Sequence, residues 1–478
     1  MAVSFSAHYA ALPPQLFRAL PPTPVSAPSV IAINDALAEV LGLNAGDLHS
    51  ADGVALLAGN SIAPGSQPLA MAYSGHQFGH WSGQLGDGRA LLLGERRASD
   101  GQLYDIQLKG AGRTPFSRSG DGRSALGPVL REYILSEAMA ALGVPTTRAL
   151  AALRTGDQVQ RHYPEPGGIF TRVAKSHVRV GTFQHFAAAK DTAALNALTR
   201  FCLDRLYPGD AGEDIAANAR LLFEKTIQKQ ADLVAKWMSL GFIHGVMNTD
   251  NMAISGETID YGPCAFMEAY DPRTVFSSID HQGRYAYTNQ PGIAHWNLSC
   301  LASALVPLLD ADQDAAVAIA QASLDTFPDL YDAAYTANMS AKLGLMQVAS
   351  EDQQIISGVL EVLKDRALDF TSTMRAIATG QFDLTTAPQL EALQARWDQD
   401  GHSAAQRQAA MKAVNPAFIP RNHQVEKAIS ASVEDADDTP FHRLNAVLAQ
   451  PFVDQLDAQE YAHPAEPHEA VRQTFCGT

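Results

Sequence analysis

His244, Asp250, Asn251 and Asp260 fall close together in HGVMNTDNMAISGETIDYGP, residues 244–263. The amide oxygen of Asn251 and the carboxylate of Asp260 suit a hard divalent cation, Mg²⁺ or Mn²⁺, which also binds nucleotide phosphate oxygens. An Asn- and Asp-rich turn would supply either residue alone. His-Gly, an Asn seven residues after the His, and Ile-Asp-Tyr-Gly beyond it form a much rarer combination, the strongest local signal in the chain. Three other segments add glycines and cations. GQLGDGR (83–89) carries glycines at 83, 86 and 88, which let backbone N–H groups approach phosphates closely. A glycine-rich hairpin turn has the same look, and no GxxxxGK[ST] loop is present. Lys109 and Glu132 are 132 − 109 = 23 residues apart, which suits a phosphate-binding lysine held by a helix glutamate. Glu137 competes for that role about 140° further round the helix; the spacing favours Glu132. Arg172 and Arg179 bracket RVAKSHVR, and two guanidiniums near one cleft would neutralise a polyphosphate.

Protein kinases carry His-x-Asp-x-x-x-x-Asn in their catalytic loop, where the Asp orients the attacking hydroxyl and the Asn holds a metal ion. Here His244 and Asn251 keep that spacing, but Val246 occupies the Asp position. A carboxylate stands instead at Asp250, beside the Asn, and IDYG takes the place of the kinase DFG.

The elements around these residues change texture along the chain. Residues 1 to about 65 are proline-rich and read as an extended or partly helical arm. RALLLGE (89–95), LYDIQLK (103–109) and GGIFTRVAK (167–175) read as strands; in the second, Tyr104, Ile106 and Leu108 share one face and Lys109 points to the opposite, more polar one. SALGPVLREYILSEAMAALGVP (124–145) reads as a helix stopped by Gly143 and Pro145. After about 180 the pattern turns helical. Leu195, Leu198, Cys202 and Leu206 form one stripe, Phe223, Ile227, Ala231, Val234 and Met238 a longer one ending at Gly241, and Ala- and Leu-rich segments fill 294–415. A short hairpin is expected between Asn251 and Asp260, and SVEDADDTP (432–440) reads as a solvated acidic loop. No internal repeat is visible. The expected fold class is α+β: a sheet-containing lobe over a mainly helical one, with a ligand cleft between.

The chain has 478 residues, enough for two lobes and a sizeable core, with 46% hydrophobic and 18% charged residues. Its formal charge of 35 − 51 = −16 argues against a protein that coats nucleic acid. No apolar run is seen to approach the roughly 20 residues that cross a bilayer, and the N-terminal stretch lacks a secretory signal's pattern. The expectation is a cytoplasmic protein with no membrane partner. Four cysteines, Cys202, Cys264, Cys300 and Cys476, are far apart with no CxxC, which disfavours a zinc site or disulfide framework.

Several stretches match one family in order: AYSGHQFGHWSGQLGDGRA, IQLKGAGRTPFSRSGDGRS, LREYILSEAMAALGVPTTRAL, FTRVAKSHVRVGTFQ, GFIHGVMNTDNM, TIDYGP, DHQGRYAYTNQP and NPAFIPRNH. From about 70 to 425 the chain resembles the selenoprotein O family, also called YdiU. The resemblance implies a protein-kinase-like two-lobe fold: an arm (1–69), an N-lobe (70–180), a helical C-lobe (181–425) and a C-terminal extension (426–478). It implies transfer of AMP from ATP, and of UMP from UTP, to Ser, Thr or Tyr hydroxyls of proteins, self-modification included, with release of pyrophosphate. The nucleotide is expected to lie inverted relative to ordinary kinases. Carried over by motif, Asp250 would be the base, while Asn251 and Asp260 would bind Mg²⁺ or Mn²⁺. Gly86, Gly88, Arg89, Lys109, Asp121, Gly122, Arg172, Arg179 and Asp260 would contact the nucleotide, with Glu132 positioning Lys109. A tail cysteine near the catalytic lobe implies redox control, for which the resemblance leaves a Cys476–Cys264 link open. Two rival readings remain: a small-molecule phosphotransferase of kinase-like fold, and an inert nucleotide-binding scaffold.

Overall fold

The computed structural model describes residues 3–347, 349 and 351–474. An antiparallel sheet dominates the first part of the chain. Its strands include β1 (Phe17–Ala19), β2 (Ser29–Ile33) and β3 (Leu69–Met71). A separate hairpin, β4 (Gly75–Gln77) with β5 (His80–Ser82), precedes β6 (Ala90–Arg97), β7 (Leu103–Lys109) and the short β8 (Ser124–Ala125). The long pair β9 (Arg148–Gln160) and β10 (Pro164–Ala174) completes the sheet in the order β1-β3-β6-β7-β10-β9-β2, with β8 on β10. The arm therefore supplies both edge strands.

The period-2 alternation of β6 and β7 sets what lies on each face. Leu91, Leu93, Ile106 and Leu108 pack against the arm's helices α1 (Asp35–Val40), α2 (Ala45–His49) and α3 (Ala51–Leu57) in a small core of their own. Leu92 and Phe170 face the larger core, where α4 (Leu126–Ala141) lies across β9 and β10. Asp105 and Gln107, two residues apart on the Lys109 face of β7, are buried. That face is polar as expected, but it looks inward.

Helices make up most of the rest. α5 (Val180–Ala188), α6 (Thr192–Leu206) and α7 (Ile215–Leu240) lead to the residues 244–263. α7 carries the expected apolar stripe and ends on Gly241 in the left-handed conformation, φ +71°. Two-residue strands β11 (Phe242–Ile243) and β12 (Ala265–Phe266) pair and so pinch the site loop at its base. Then follow α8 (Gln290–Leu309), α9 (Gln313–Leu324), α10 (Phe327–Lys342), α11 (Asp352–Asp365), α12 (Phe370–Thr379), α13 (Pro388–Gln399) and α14 (Ala404–Lys412). Helices α15 (Asn422–Glu434) and α16 (Thr439–Leu448) return to pack on α4.

Several expectations need correcting. The 124–145 helix begins only at Leu126, because Ser124 and Ala125 pair with β10. A turn, not a hairpin, links Asn251 to Asp260. The solvated acidic loop is shorter than 432–440: residues 434–437 are exposed, but α15 runs through Glu434, and Asp438 accepts two hydrogen bonds from Arg154. One helix among the described residues, Tyr287–Leu309, is long and apolar enough to cross a bilayer, with mean hydropathy 1.4. Its Gln, His, Asn and Ser residues hid this run in the sequence. It packs against α5, α7 and α9, as a core helix does. The expected limits at 69/70 and 425/426 fall inside β3 and α15.

Candidate functional site

Five charged side chains meet where β7, β10, α4, α5 and the 244–263 loop converge. Lys109 Nζ donates to Glu132 Oε2 at 2.5 Å and to Asp260 Oδ1 at 3.0 Å. Arg172, fully buried on β10, donates to Glu132 Oε1 at 3.0 Å and to Asp260 Oδ1 at 2.8 Å. Arg179, just before α5, reaches Asp260 Oδ2 at 2.7 Å and the Asp250 carbonyl at 2.6 Å. Three cations thus share two carboxylates, an excess of one positive charge before Asp250 is counted. Burial alone would raise the Asp260 pKa, but Arg172, Lys109 and Arg179 outweigh it and hold the carboxyl well below the usual range. Asp260 also has φ +63°, a left-handed conformation uncommon for a non-glycine residue, which aims its carboxylate back at these cations.

Sequence spacing left Glu132 and Glu137 in competition. The structure separates them: Glu132 takes Lys109, whereas Glu137 binds Arg148, Asn34 and the Ala149 amide. Rotation about the α4 axis puts one glutamate beside Lys109 and Asp260 and the other against the arm.

The 244–251 loop is held from behind. His244 is buried, stacks on Trp237, and donates through Nε2 to the Ile259 carbonyl at 2.9 Å. Its Nδ1 then accepts the Val246 N–H, and burial lowers its pKa, so the ring is neutral. One imidazole therefore ties the Val246 end of the loop to Asp260's neighbour. Asn251 Nδ2 donates to the Val246 carbonyl at 2.9 Å, which fixes the amide plane and leaves Oδ1 as its acceptor.

Asp250 sits differently from Asp260. Its only side-chain donor among the described residues is Gln77 Nε2, 3.3 Å from Oδ2, and Oδ1 has no partner. Burial pushes its pKa up to about 6, and Arg179 restrains the rise. Gln77 belongs to the β4–β5 hairpin, which lies directly on the loop. The His76 amide donates to Thr249 Oγ1 and the Phe78 amide to Asn248 Oδ1. A Cβ at Gly75 would come within 2.9 Å of Asp250 Oδ1, so only glycine permits this approach. The two turn residues, Phe78 and Gly79, have φ +51° and +83°, as a tight two-residue hairpin turn requires. Phe78 is costly there; its amide bond to Asn248 and its ring against Tyr285 offset the strain.

The remaining expected residues form an adjoining group. Gly86 has φ +118°, and a Cβ there would strike the Phe116 ring; Gly88 lies against the Phe116 carbonyl. Ser117 Oγ donates to the Gly88 carbonyl and Thr114 Oγ1 to the Asp87 carbonyl, so residues 83–89 and 110–123 pack face to face. The Arg89 carbonyl receives the Gly110 and Ala111 amides, and the Gly122 carbonyl receives the Gly112 amide. Asp121 is half-exposed and paired with Arg161 at 2.9 Å; burial opposes ionisation, but this pairing holds its pKa below the ordinary value. Gly86, Gly88, Asp121 and Gly122 are not among the hydrogen-bond partners of the Lys109–Asp260 cluster described above; Arg89 adjoins it through β6, whose Ala90 pairs with Lys109.

Sequence reasoning missed Gln77, Asp87, Gln107 and Tyr73. Gln107 Oε1 accepts two bonds from Arg172 and its amide reaches the buried Asp87; Arg179 lies over the Tyr73 ring, 4.8 Å from its centre. Alternation along β7 marks Gln107 as a neighbour of Lys109's face; nothing local marks the others. No group of three or more acidic, histidine or cysteine side chains that would hold a metal occurs among the described residues. Asn251 Oδ1 and the Asp260 carboxylate are oxygens of the kind that Mg²⁺ or Mn²⁺ bind together with phosphates and water, and Asp260 would exchange one of its cationic partners for the metal. Two surface clefts, of about 470 and 510 Å³, share no residue with this cluster. Cys202 and Cys264 are buried and Cys300 half-buried. Cys476 lies outside the described residues; Thr474 bonds to the Phe276 and Pro263 carbonyls, next to Cys264.

Comparison with known proteins agrees along nearly the whole chain. The family described as "Protein adenylyltransferase SelO" matches residues 1–449. A "Protein nucleotidyltransferase YdiU" of Rhodopseudomonas palustris (strain BisB5) is 54% identical over 488 residues, covering 99% of both chains. Those of Bradyrhizobium sp. (strain ORS 278) and Rhizobium rhizogenes (strain K84) are each 52% identical, covering 99% and 100% of this chain and 99% and 97% of their own.

Proposed function

The chain belongs to the SelO family of protein adenylyltransferases, and on that premise we propose that it moves AMP from ATP to protein hydroxyls with Asp250 as the base. One observation carries the assignment. Of the two carboxylates at the loop, Asp260 is saturated by three cations, whereas Asp250 keeps an oxygen without a partner. The first is built to hold charge and the second to take a proton.

In this reading the lobes are kinase-like and the nucleotide lies inverted, its α-phosphorus toward the acceptor. Val246 removes the carboxylate that would serve a terminal phosphate, and Asp250 supplies one for the relocated phosphorus. The Ser, Thr or Tyr oxygen attacks the α-phosphorus while its proton passes to Asp250. The bond from the α-phosphorus to the oxygen bridging to the β-phosphate breaks, and pyrophosphate departs. Lys109, Arg172 and Arg179 neutralise charge on the phosphates; Glu132 holds Lys109 and shares Arg172. Backbone at Gly86, Gly88 and Gly122, with Arg89 and Asp121, would line the nucleotide. A divalent cation, Mg²⁺ or Mn²⁺, held by Asn251 and Asp260 would supply charge neutralisation at the phosphate oxygens. UTP would serve as a second donor, giving UMP transfer, and a cytoplasmic setting with ATP at hand fits this reading.

Intact mass after incubation with ATP and Mg²⁺ or Mn²⁺ tests it. An addition of about 329 Da on the enzyme or an acceptor protein marks AMP, whereas about 80 Da marks phosphate and overturns the proposal. Label retained from α-labelled and not γ-labelled ATP is the matching result.

A further inference from the structure

Beyond Asp250, the hairpin touches a cation that nothing in the reaction uses. The Arg284 guanidinium lies 4.7 Å from the Trp296 ring centre and 5.7 Å from that of Tyr285. Its Cζ and Nη1 are 3.5 Å from where a Cβ at Gly79 would stand, so it rests against the hairpin tip. Among the described residues no carboxylate forms an ion pair with it, and its Nε has no partner. The nearby Asp280 spends its two oxygens on the backbone amides of Arg284 and Tyr285. Trp81, on the same hairpin, is 46% exposed, and His80 beside it is exposed too.

The placement relative to Asp250 gives this cation a use. Gln77 bonds to Asp250 and Gly79, two residues on across the turn, meets Arg284. The Tyr285 hydroxyl joins the same Asn248 oxygen that receives the Phe78 amide. Arg284 and Asp250 thus sit against one and the same hairpin, Asp250 at its first strand and Arg284 at its tip, a separation that a few residues of extended chain span. A protein segment that lays its hydroxyl on Asp250 and runs along the hairpin meets this edge.

We propose that Arg284, with the β4–β5 hairpin, forms an acceptor-docking edge that selects protein segments carrying a carboxylate two or three residues from the modified hydroxyl. The proposal rests on Asp250 being the acceptor-side base. The carboxylate pairs with a guanidinium already oriented by Trp296 and Tyr285, so little side-chain freedom is lost on docking. The exposed Trp81 ring offers apolar area beside it.

The test uses the full chain, α-labelled ATP and three peptides that differ only in Glu, Gln or Lys at the second and third positions after one serine. The wild-type protein should prefer the Glu over the Lys peptide by at least about tenfold in kcat/KM, about 1.4 kcal/mol. In Arg284→Gln that ratio should fall to about 1, Arg284→Lys should retain most of it, and Arg284→Glu should invert it. Thermal melts confirm that each variant is folded. Equal ratios in wild type and Arg284→Glu would overturn the docking edge. So would a rise in the KM for ATP in Arg284→Gln with the peptide ratio intact, because Arg284 would then serve the nucleotide. Self-labelling with every peptide left unlabelled also rejects it. No label anywhere would reject nucleotidyl transfer itself, a separate failure.

Discussion

Two carboxylates ten residues apart live in opposite electrostatic surroundings. Asp260 is enclosed by Lys109, Arg172 and Arg179, which themselves lean on Glu132 and Gln107, so nearly every donor has an acceptor. Asp250, one loop away, has a single long side-chain bond from Gln77 and an orphan oxygen, and Arg284, at the tip of the same hairpin, has no acidic partner among the described residues. A saturated network stores preorganised charge and resists rearrangement. An unsaturated edge keeps groups ready for a partner that arrives later. Under the proposed function, the difference teaches that the nucleotide side is finished by the fold, whereas the acceptor side is completed by what binds there.

The sharpest way to break this contrast is to empty the saturated side. Asp260→Ala should reduce AMP transfer from α-labelled ATP by at least about 10³-fold, because three cations lose their shared anion and the metal loses its carboxylate. Full activity in this variant would remove Asp260 from the site. Asp250→Asn attacks the other side: kcat should fall by about 10²- to 10³-fold while the KM for ATP stays within about twofold. A large KM change with kcat intact would mean that Asp250 serves the nucleotide. Glu132→Ala leaves Asp260 as the one carboxylate that Lys109 and Arg172 still share and should cost about 3 kcal/mol in urea unfolding, since a buried partner is lost. Stability within about 0.5 kcal/mol of wild type would show the network to be slack.

Glu257 provides the mildest probe. It accepts from Ser255 and the Lys175 amide but is otherwise enclosed, and burial raises its pKa from 4.5 to about 7. The folded protein therefore holds a proton between about pH 4.5 and 7 that the unfolded chain gives up. Its contribution to stability is full below that window, falls as pH rises through it, and stays lower above pH 7. Glu257→Gln should flatten this slope and melt about 1 to 2 kcal/mol more stable at pH 8. An unchanged slope would move the titration elsewhere.

Much of this arrangement was legible before any coordinates. The stripe from Phe223 to Met238 and the Gly241 stop specify α7, and the 23-residue spacing anticipates the contact of Lys109 with Glu132. Helical and strand periods are local, so they survive in the sequence. Other parts were not local. β9, RALAALRTGDQVQ, alternates poorly and becomes a strand because β10 and β2 flank it. The β4–β5 hairpin carries histidines and glycines with no apolar face, and Gln77 gains its meaning only from the loop folded beneath it. The arm's strands and Asp87 are likewise set by long-range pairing. The apolar character of α8 was masked by polar residues that bind inside the core, such as Gln290 to the His244 amide.

Arg131 and Glu132 are neighbours on α4 that point about 100° apart. Glu132 grips Lys109, while Arg131 grips the Gly262 and Cys264 carbonyls, Asn422 and Glu426. The helix is therefore an axle with one crank in the cleft and the other in the C-terminal bundle. Contacts of α15 and contacts of Lys109 therefore bear on adjacent residues of one helix, and the C-terminal bundle is joined to the lysine without crossing the sheet.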